Sequence, residues 1–470
     1  MFHPFFFAFF YCFFALHTRT MKKWTLLLSF LVTFCSLRAQ VIYVNTQTGD
    51  DTYSGTLAEV AGADGPKKTI AAGVAAAEEG SILSVASGVY DEYVLVEKSL
   101  VWVKTGATAV SLSGVTFGSG AQVLPNKPAS DAFAAEQVTV LDGATIQDGI
   151  LFAKEGGVLY VNEGGYNESI VLNKELLFYS LGEVAVNSVR IALNGKVATL
   201  SGNLSIRDLF EVNQFNGGFF ELSDGNLTIS EGAVITAGSG GSFIRTSGSG
   251  SIRVDAPSSS QVLPLGSGNV YAPLSFTNLS CESINAQVRT ATNTNSFNPD
   301  LPTGVNSFVG IEWKISVSGQ SGDANVRFDY TGLNELGNWS AAQNRVVAYN
   351  NGTSWTEGTN IQIGQSFASA SFSNLDGGTL AIYSDFPNAI GATPVDGITV
   401  FPVPFSNTLQ IQLDNPTSMQ YTLTDVTGKV VATGNTMNTP VIATEGLASG
   451  LYALTVFSNE SSYRRLVLKQ

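Results

Sequence analysis

The feature that most constrains this chain is an internal duplication. Residues 69–103 align without a gap on residues 145–179, an offset of 76 residues with 13 of 35 positions identical. Gly73/Gly149, Gly80/Gly156, Leu83/Leu159, Gly88/Gly164, Tyr90/Tyr166, Glu92/Glu168 and Lys98/Lys174 are among the matches. Internal repeats at such a period are the mark of stacked architectures, in which one unit buries its apolar face only against the next. Within each copy, Ile70, Val74 and Ala77 stand at helical spacing in an Ala-rich run that Gly80 ends. Three short β-type runs follow, Ile82–Val85, Tyr93–Val96 and Leu100–Val103. Four-residue strands are too short to form a stable hairpin alone, but each can pair with its equivalent above and below in a stack.

Beyond residue 200 the helical signal stops and the strand rhythm continues. Leu204–Ile206, Phe219–Leu222, Leu227–Ile229, Ala233–Ile235, Phe243–Arg245 and Ile252–Val254 alternate with glycine-rich turns. The spacing predicts an all-β protein whose residues 40–258 form a β-solenoid. At roughly 25 residues per rung, the duplication spans about three rungs. A β-sandwich with frequent turns is the competing reading. Gly49-Asp-Asp-Thr-Tyr-Ser-Gly-Thr, Pro66-Lys-Lys-Thr-Ile-Ala-Ala-Gly-Val and Ser87-Gly-Val-Tyr-Asp-Glu resemble the opening of the pectin-lyase-like superfamily. That resemblance covers residues 41–180 and implies a right-handed parallel β-helix with a capping helix. It says little about activity, because the superfamily holds lyases, hydrolases, adhesins and scaffolds.

Residues 1–39 read as a leader. Translation is expected to start at Met21, because residues 1–20 carry eight phenylalanines and no basic residue before Arg19. Residues 21–39 then form a signal peptide, with Lys22 and Lys23, an apolar run from Trp24 to Cys35, and cleavage between Ala39 and Gln40. Cys35 follows the bulky Phe34, which disfavours lipid attachment. Both histidines (His3, His17) and two of the three cysteines (Cys12, Cys35) leave with the leader, so only Cys281 remains. A mature chain without histidine excludes His-dependent triads and His-ligated zinc or haem. It keeps 20 basic against 38 acidic residues, which argues against binding nucleic acid or anionic membranes. No later segment has 18 apolar residues in a row, so no transmembrane span is expected in the mature chain.

Ala256-Pro-Ser-Ser-Ser-Gln separates the solenoid from residues 262–386, where longer alternating runs (Gly310–Val317, Asn325–Tyr330) predict an antiparallel β-sandwich. Tyr349-Asn-Asn-Gly-Thr-Ser-Trp355 carries a hairpin signal. Trp339 and Trp355 are either sugar-ring platforms or core tryptophans. The chain ends with Phe401-Pro-Val-Pro-Phe-Ser-Asn, Tyr421-Thr-Leu-Thr-Asp-Val-Thr-Gly-Lys-Val, Leu447-Ala-Ser-Gly-Leu-Tyr-Ala-Leu-Thr-Val and Arg464-Arg-Leu-Val-Leu-Lys-Gln. Residues 395–470 thereby resemble the C-terminal sorting domain of type IX secretion cargo in Bacteroidota. The family's motifs fall on Pro402 and Pro404; Asp425, Gly428 and Lys429; Leu447, Gly450 and Tyr452; and Lys469. Val403 departs from the asparagine usual between the prolines. The resemblance implies a small Ig-like β-sandwich, passage through the periplasm to the outer-membrane surface or medium, and the secretion machinery and its sortase as partners.

The body offers few groups for chemistry. Asp50 and Asp51 with Asp64 suit either a cation such as Ca²⁺ or a turn that caps the solenoid. No other cofactor is expected. Asp91-Glu92 recurs as Asn167-Glu168, which points to a structural ladder, and Arg190, Arg207, Arg245 and Arg253 are scattered. Cys281 has no histidine partner to activate it. No catalytic residue emerges. The expectation is a noncatalytic extracellular or surface protein for adhesion, glycan contact or structure, with a polysaccharide lyase or hydrolase as the alternative.

Overall fold

The computed structural model describes residues 39–470 except 126, 130, 213–217, 237, 303–304, 306, 320–322, 331–333, 338, 340–344, 374, 385–397, 414–418, 428, 437–439 and 459–460. The leader, with the start expected at Met21, therefore lies outside the described residues except for Ala39. The protein is nearly all β, with solenoid strands over residues 82–266 and separate sheets at the C-terminus. It divides into two compact units, one ending at Val184 and lacking Val171–Asn173, the other made of those three residues and Ala185–Gln470.

The first unit holds β1 (Val41–Val44), α1 (Ile70–Ala76), β2 (Ile82–Val96), β3 (Val101–Phe117), β4 (Phe133–Val140), α2 (Ile146–Phe152) and most of β5 (Ala153–Leu172). The strands pair in parallel, β1 on β2, β2 on β3, β3 on β4 and β4 on β5. Where four-residue runs were expected, β2 is continuous over 15 residues. Register shifts at Ala86/Gly88 and Tyr90/Tyr93 turn its corners without ending the ladder. The inward rows are apolar, Val94, Val115, Val138 and Leu159 forming one column with 2% exposure or less. Burying each such side chain contributes about 1.5–3 kcal/mol, the main force holding the stack.

The register also sharpens the duplication. Ile82 stacks between Val41 and Val101, whereas Val158, its equivalent 76 residues on, belongs to the column of Tyr93, Gly114 and Gln137. The offset is therefore not a whole number of turns, and the second copy starts one face further round.

The duplicated identities build one device twice. Glu92 accepts hydrogen bonds from the Ile70 and Ala71 amides at 2.7 and 3.0 Å, and Glu168 accepts from Ile146 and Gln147 at 2.6 and 3.0 Å. Lys98 donates to the carbonyls of Val74, Ala75 and Ala77, and Lys174 to those of Leu151 and Ala153. Each seven-residue helix is thus held at its N-terminus by a carboxylate and at its C-terminus by an ammonium, which satisfies orphan backbone groups and matches the helix dipole. Burial pushes the Glu168 pKa up and that of Lys174 down. Gly73 and Gly149 let the helices lie against the strands, since a Cβ would come 2.5 Å from Val44 and 2.6 Å from Val140 respectively.

The copies differ in what the helix puts inside. Ala76 of α1 corresponds to Phe152 of α2. The Phe152 ring stacks on Phe133 at 4.8 Å and meets Trp102 and Phe117 edge-on at 5.0 and 5.2 Å. In α2, Asp148 is also buried, accepts from the Val123 amide at 2.8 Å and pairs with Lys127.

The second unit holds the end of β6 (Leu176–Ile191 overall), then β7 (Val197–Val212), β8 (Gly218–Leu222), β9 (Asn226–Ile229), β10 (Val234–Ile235), β11 (Ser242–Arg245) and β12 (Ser251–Asp255). Ile206, Ile229 and Val254 stack in register as one buried column. The corners require glycine, for a Cβ on Gly248 would lie 1.8 Å from the Ser223 carbonyl oxygen. The parallel ladder ends where Ser283–Ala286 pairs antiparallel with β12. That strand, Ser283–Thr290, pairs in turn with Ile311–Ser318, so the solenoid sheet runs on into a sandwich layer. A second layer of five strands takes Ser260–Leu263, Leu274–Thr277, Ala324–Asp329, Phe367–Phe372 and Thr359–Ile363 in that order. Arg345–Asn350 and Trp355–Glu357 form the expected hairpin. All three tryptophans of this region are structural. Trp313 is buried and donates to the Ala272 carbonyl at 3.1 Å, Trp339 is 3% exposed, and Trp355 donates to the Asp300 carbonyl at 2.8 Å and packs on Tyr383. Trp339 is therefore core rather than a platform for a sugar ring, while Trp355 is half-buried and held by these two contacts.

Candidate functional site

The tail folds as two small sheets, Ile398–Phe401, Thr408–Leu413 and Val441–Ala443 in one, and Val430–Thr436, Met419–Asp425, Gly450–Ser458 and Ser461–Lys469 in the other. Its alternating apolar residues form a core of their own, with Phe405, Leu409, Ile411, Leu423, Leu454, Val456 and Val467 buried. The strand directions carry the four motifs, far apart in sequence, to one end of the sheets.

Asp425 lies opposite Tyr452, and Tyr452 lies opposite Val467. Gly450 pairs with Lys469, and Lys469 bridges to Phe405. The chain's last residues are stitched to the proline motif by backbone bonds, Phe405 N to Leu468 O at 2.8 Å and Gln470 N to Phe405 O at 2.9 Å. Phe401-Pro402 and Val403-Pro404 are both cis peptide bonds. The Lys469 side chain is 7% exposed, donates to the Ser406 carbonyl and stands 5.9 Å from the Phe405 ring centre. The terminal basic residue is thus an internal tie rather than a solvated charge.

The Asp425 turn has its own logic. The Asp425 carboxylate accepts from the Thr427 amide and hydroxyl at 2.8 and 2.6 Å and from the Lys429 amide at 3.0 Å, which closes the turn from Asp425 to Lys429. Gly428 itself is outside the described residues. The Lys429 side chain is exposed. The Tyr452 hydroxyl donates to the Ala448 carbonyl at 2.7 Å and pins the loop that contains Leu447, which packs against the core. Sequence reasoning missed Phe405, Ser406 and Thr444. Thr444 is 1% exposed and its hydroxyl donates to the same Ser406 carbonyl at 3.1 Å. Nothing in the local pattern marks a loop threonine for that contact.

The Thr427 hydroxyl and the turn amides hold the Asp425 carboxyl below its ordinary value of 3.8. A depressed carboxyl stabilises the turn fully above that value, and the contribution is lost as pH falls through the folded-state pKa. NMR titration is expected to show the Thr427 amide moving only at a pH below the ordinary carboxylate range; a midpoint at or above 3.8 would contradict the turn geometry.

The body's candidate groups are spent on structure. Asp50 caps the Thr52 amide and hydroxyl, and Asp51 accepts from the Lys68 and Thr69 amides and the Thr69 hydroxyl. Asp64 accepts from the Ser54 amide and hydroxyl and the Gly65 amide. Among the described residues, no three His, Cys, Asp or Glu side chains group as metal ligands. Asp91 accepts from Ser113. Arg190 pairs with Glu211 and Arg253 with Asp255, while Arg245 lies 3.5 Å over the Phe219 ring and donates to Asn269. Arg207 lies on β7. Burial pushes the Cys281 thiol pKa up, which disfavours the thiolate.

Residues 399–470 match the family model of the secretion system C-terminal sorting domain. The tail is a C-terminal sorting domain. The chain that carries it is type IX secretion cargo with a β-helix, directed to the cell surface or the extracellular space. Among the described residues, no helix is long and apolar enough to cross a membrane. No curated protein matches the chain.

Proposed function

We propose that the solenoid and sandwich together are a noncatalytic exported body, acting at the surface or outside the cell in adhesion, glycan contact or matrix structure. The leader is removed between Ala39 and Gln40, and the secretion machinery reads the end of the sorting domain where Pro402, Pro404, Asp425, Lys429, Leu447, Gly450, Tyr452 and Lys469 converge. The sortase of that machinery then releases the tail. The observation that carries the noncatalytic reading is the fate of the carboxylates. Asp51, Asp64, Glu92 and Glu168 each bind backbone amides of the solenoid's own turns and helices, so none of them is poised as an acid, a base or a cation ligand.

Incubating the full chain with acidic and neutral polysaccharides, with and without Ca²⁺, is expected to release neither unsaturated products nor reducing ends. Product formation would make the body a lyase or a hydrolase and overturn the reading.

A further inference from the structure

One face of the first unit is uncharged along its whole stack. Leu95, Thr116, Thr139 and Tyr160 occupy successive rungs in register, and Tyr179 continues the row, its ring stacked on Tyr160 at 5.4 Å and 25°. Beside them run Tyr93, Gly114, Gln137 and Val158. The face holds no Asp, Glu, Lys or Arg, in a chain whose formal net charge is −14. Charged groups stand at its margins: Asp91 and Glu92 before Tyr93, Glu97 after Val96, Glu136 (paired with Lys154) before Gln137, and Glu175 before Leu177.

The row is open to different degrees. Tyr93 is 72% exposed, Leu95 51% and Leu177, two residues before Tyr179, 40%, whereas Tyr160 and Tyr179 are half-buried with one ring against the other. Gly114 makes room for the first ring: a Cβ there would fall 2.5 and 2.6 Å from Cδ1 and Cε1 of Tyr93, so the ring rests over the glycine with most of its surface outward. A row of large side chains left this open on one face marks a binding surface. Five rungs at the ordinary strand spacing give a strip about 19 Å long.

We propose that this strip binds a neutral polysaccharide chain laid across the strands. Tyrosines near both ends offer π faces to the apolar C–H faces of pyranose rings, and Thr116, Thr139 and Gln137 between them offer hydrogen bonds to hydroxyl groups. The charge balance selects the occupant. An uncharged strip has no cation to hold a uronic acid, and the acidic chain around it repels an anionic polymer. This inference rests on the noncatalytic reading of the body and names its ligand class.

The test is retention of the full chain on cellulose and on mannan, with a polygalacturonate gel as the acidic counterpart. Binding to a neutral polymer is expected, weaker binding to polygalacturonate, and little change with added salt. Tyr93→Ala and Tyr160→Ala should each weaken retention roughly tenfold, the scale of an aromatic anchor. Leu95→Lys, at an exposed position that leaves the core untouched, should weaken it comparably with an unchanged circular dichroism spectrum. Failure to bind either neutral polymer, preference for polygalacturonate, or retention indifferent to all three substitutions would overturn the proposal. A concentration-dependent dimer that Tyr93→Ala abolishes would assign the face to a second copy of the chain and overturn it equally. Absence of neutral binding leaves the body noncatalytic, whereas product release refutes that reading without touching the measured retention.

Discussion

Deleting residues 395–470 is expected to remove the protein from the medium and the cell surface and leave it in the periplasm. The matched sorting domain spans residues 399–470, and its buried core is drawn from Val400 to Val467 without a contribution from the body. Deletion therefore takes away the address without taking side chains from the body's core, and the thermal transition of the body should stay where it was. A subtler loss is expected from Lys469→Ala. That side chain ties the chain end to Ser406, and its removal leaves a partly buried carbonyl with the Thr444 hydroxyl as its remaining side-chain donor. Partial export of Lys469→Ala beside complete loss for the deletion would fit recognition of a folded end rather than of a terminal charge. Immunoblots of periplasm, surface and medium measure all three chains. Unchanged export of the deletion would refute the role of the tail.

The second large effect is expected from Phe152→Ala, a loss of about 3–5 kcal/mol of stability. Phe152 is fully buried among Phe133, Trp102 and Phe117, at distances where ring contacts add to the area buried. The substitution leaves a cavity in a stack whose strands cannot close up, because their spacing is fixed by the ladder hydrogen bonds. Phe152→Leu should cost clearly less. Trp102 is the single tryptophan of the solenoid segments and touches the Phe152 ring, so its fluorescence in a urea titration reports the transition directly. Ala76 of the first copy sets the contrast: its helix keeps the same clamps, Glu92 and Lys98, without an aromatic plug. A Phe152→Ala midpoint equal to that of the parent chain would show that the plug does not hold the stack.

Much of this was legible in the residues because the signals are local or periodic. The repeat predicted two helices and the parallel rungs, and the strands expected beyond residue 206 coincide closely with β8 to β12, while Leu204–Ile206 is the middle of the 16-residue β7. The recurrence of Glu92 as Glu168 already spoke for structure over chemistry, and the helix clamps give the reason. Other features depend on contacts between distant segments. The tryptophan pattern could not separate Trp339 as core from Trp339 as platform, since both want an aromatic ring beside a turn. The aromatic face was equally hidden: Tyr93, Tyr160 and Tyr179 lie in three different strands, and only the register puts them on one side.

The sequence by itself determined that the chain is a β-stack with a sorting tail, because periodicity and motif order need only neighbours along the chain. Tertiary structure alone decided where the copies stand relative to the turns, how Ser283–Ala286 ends the parallel ladder, and that the start and finish of the tail meet at Phe405 and Lys469. Those outcomes are set by hydrogen-bond register between strands. Register is a relation between residues far apart in sequence, fixed by which apolar rows must face inward together.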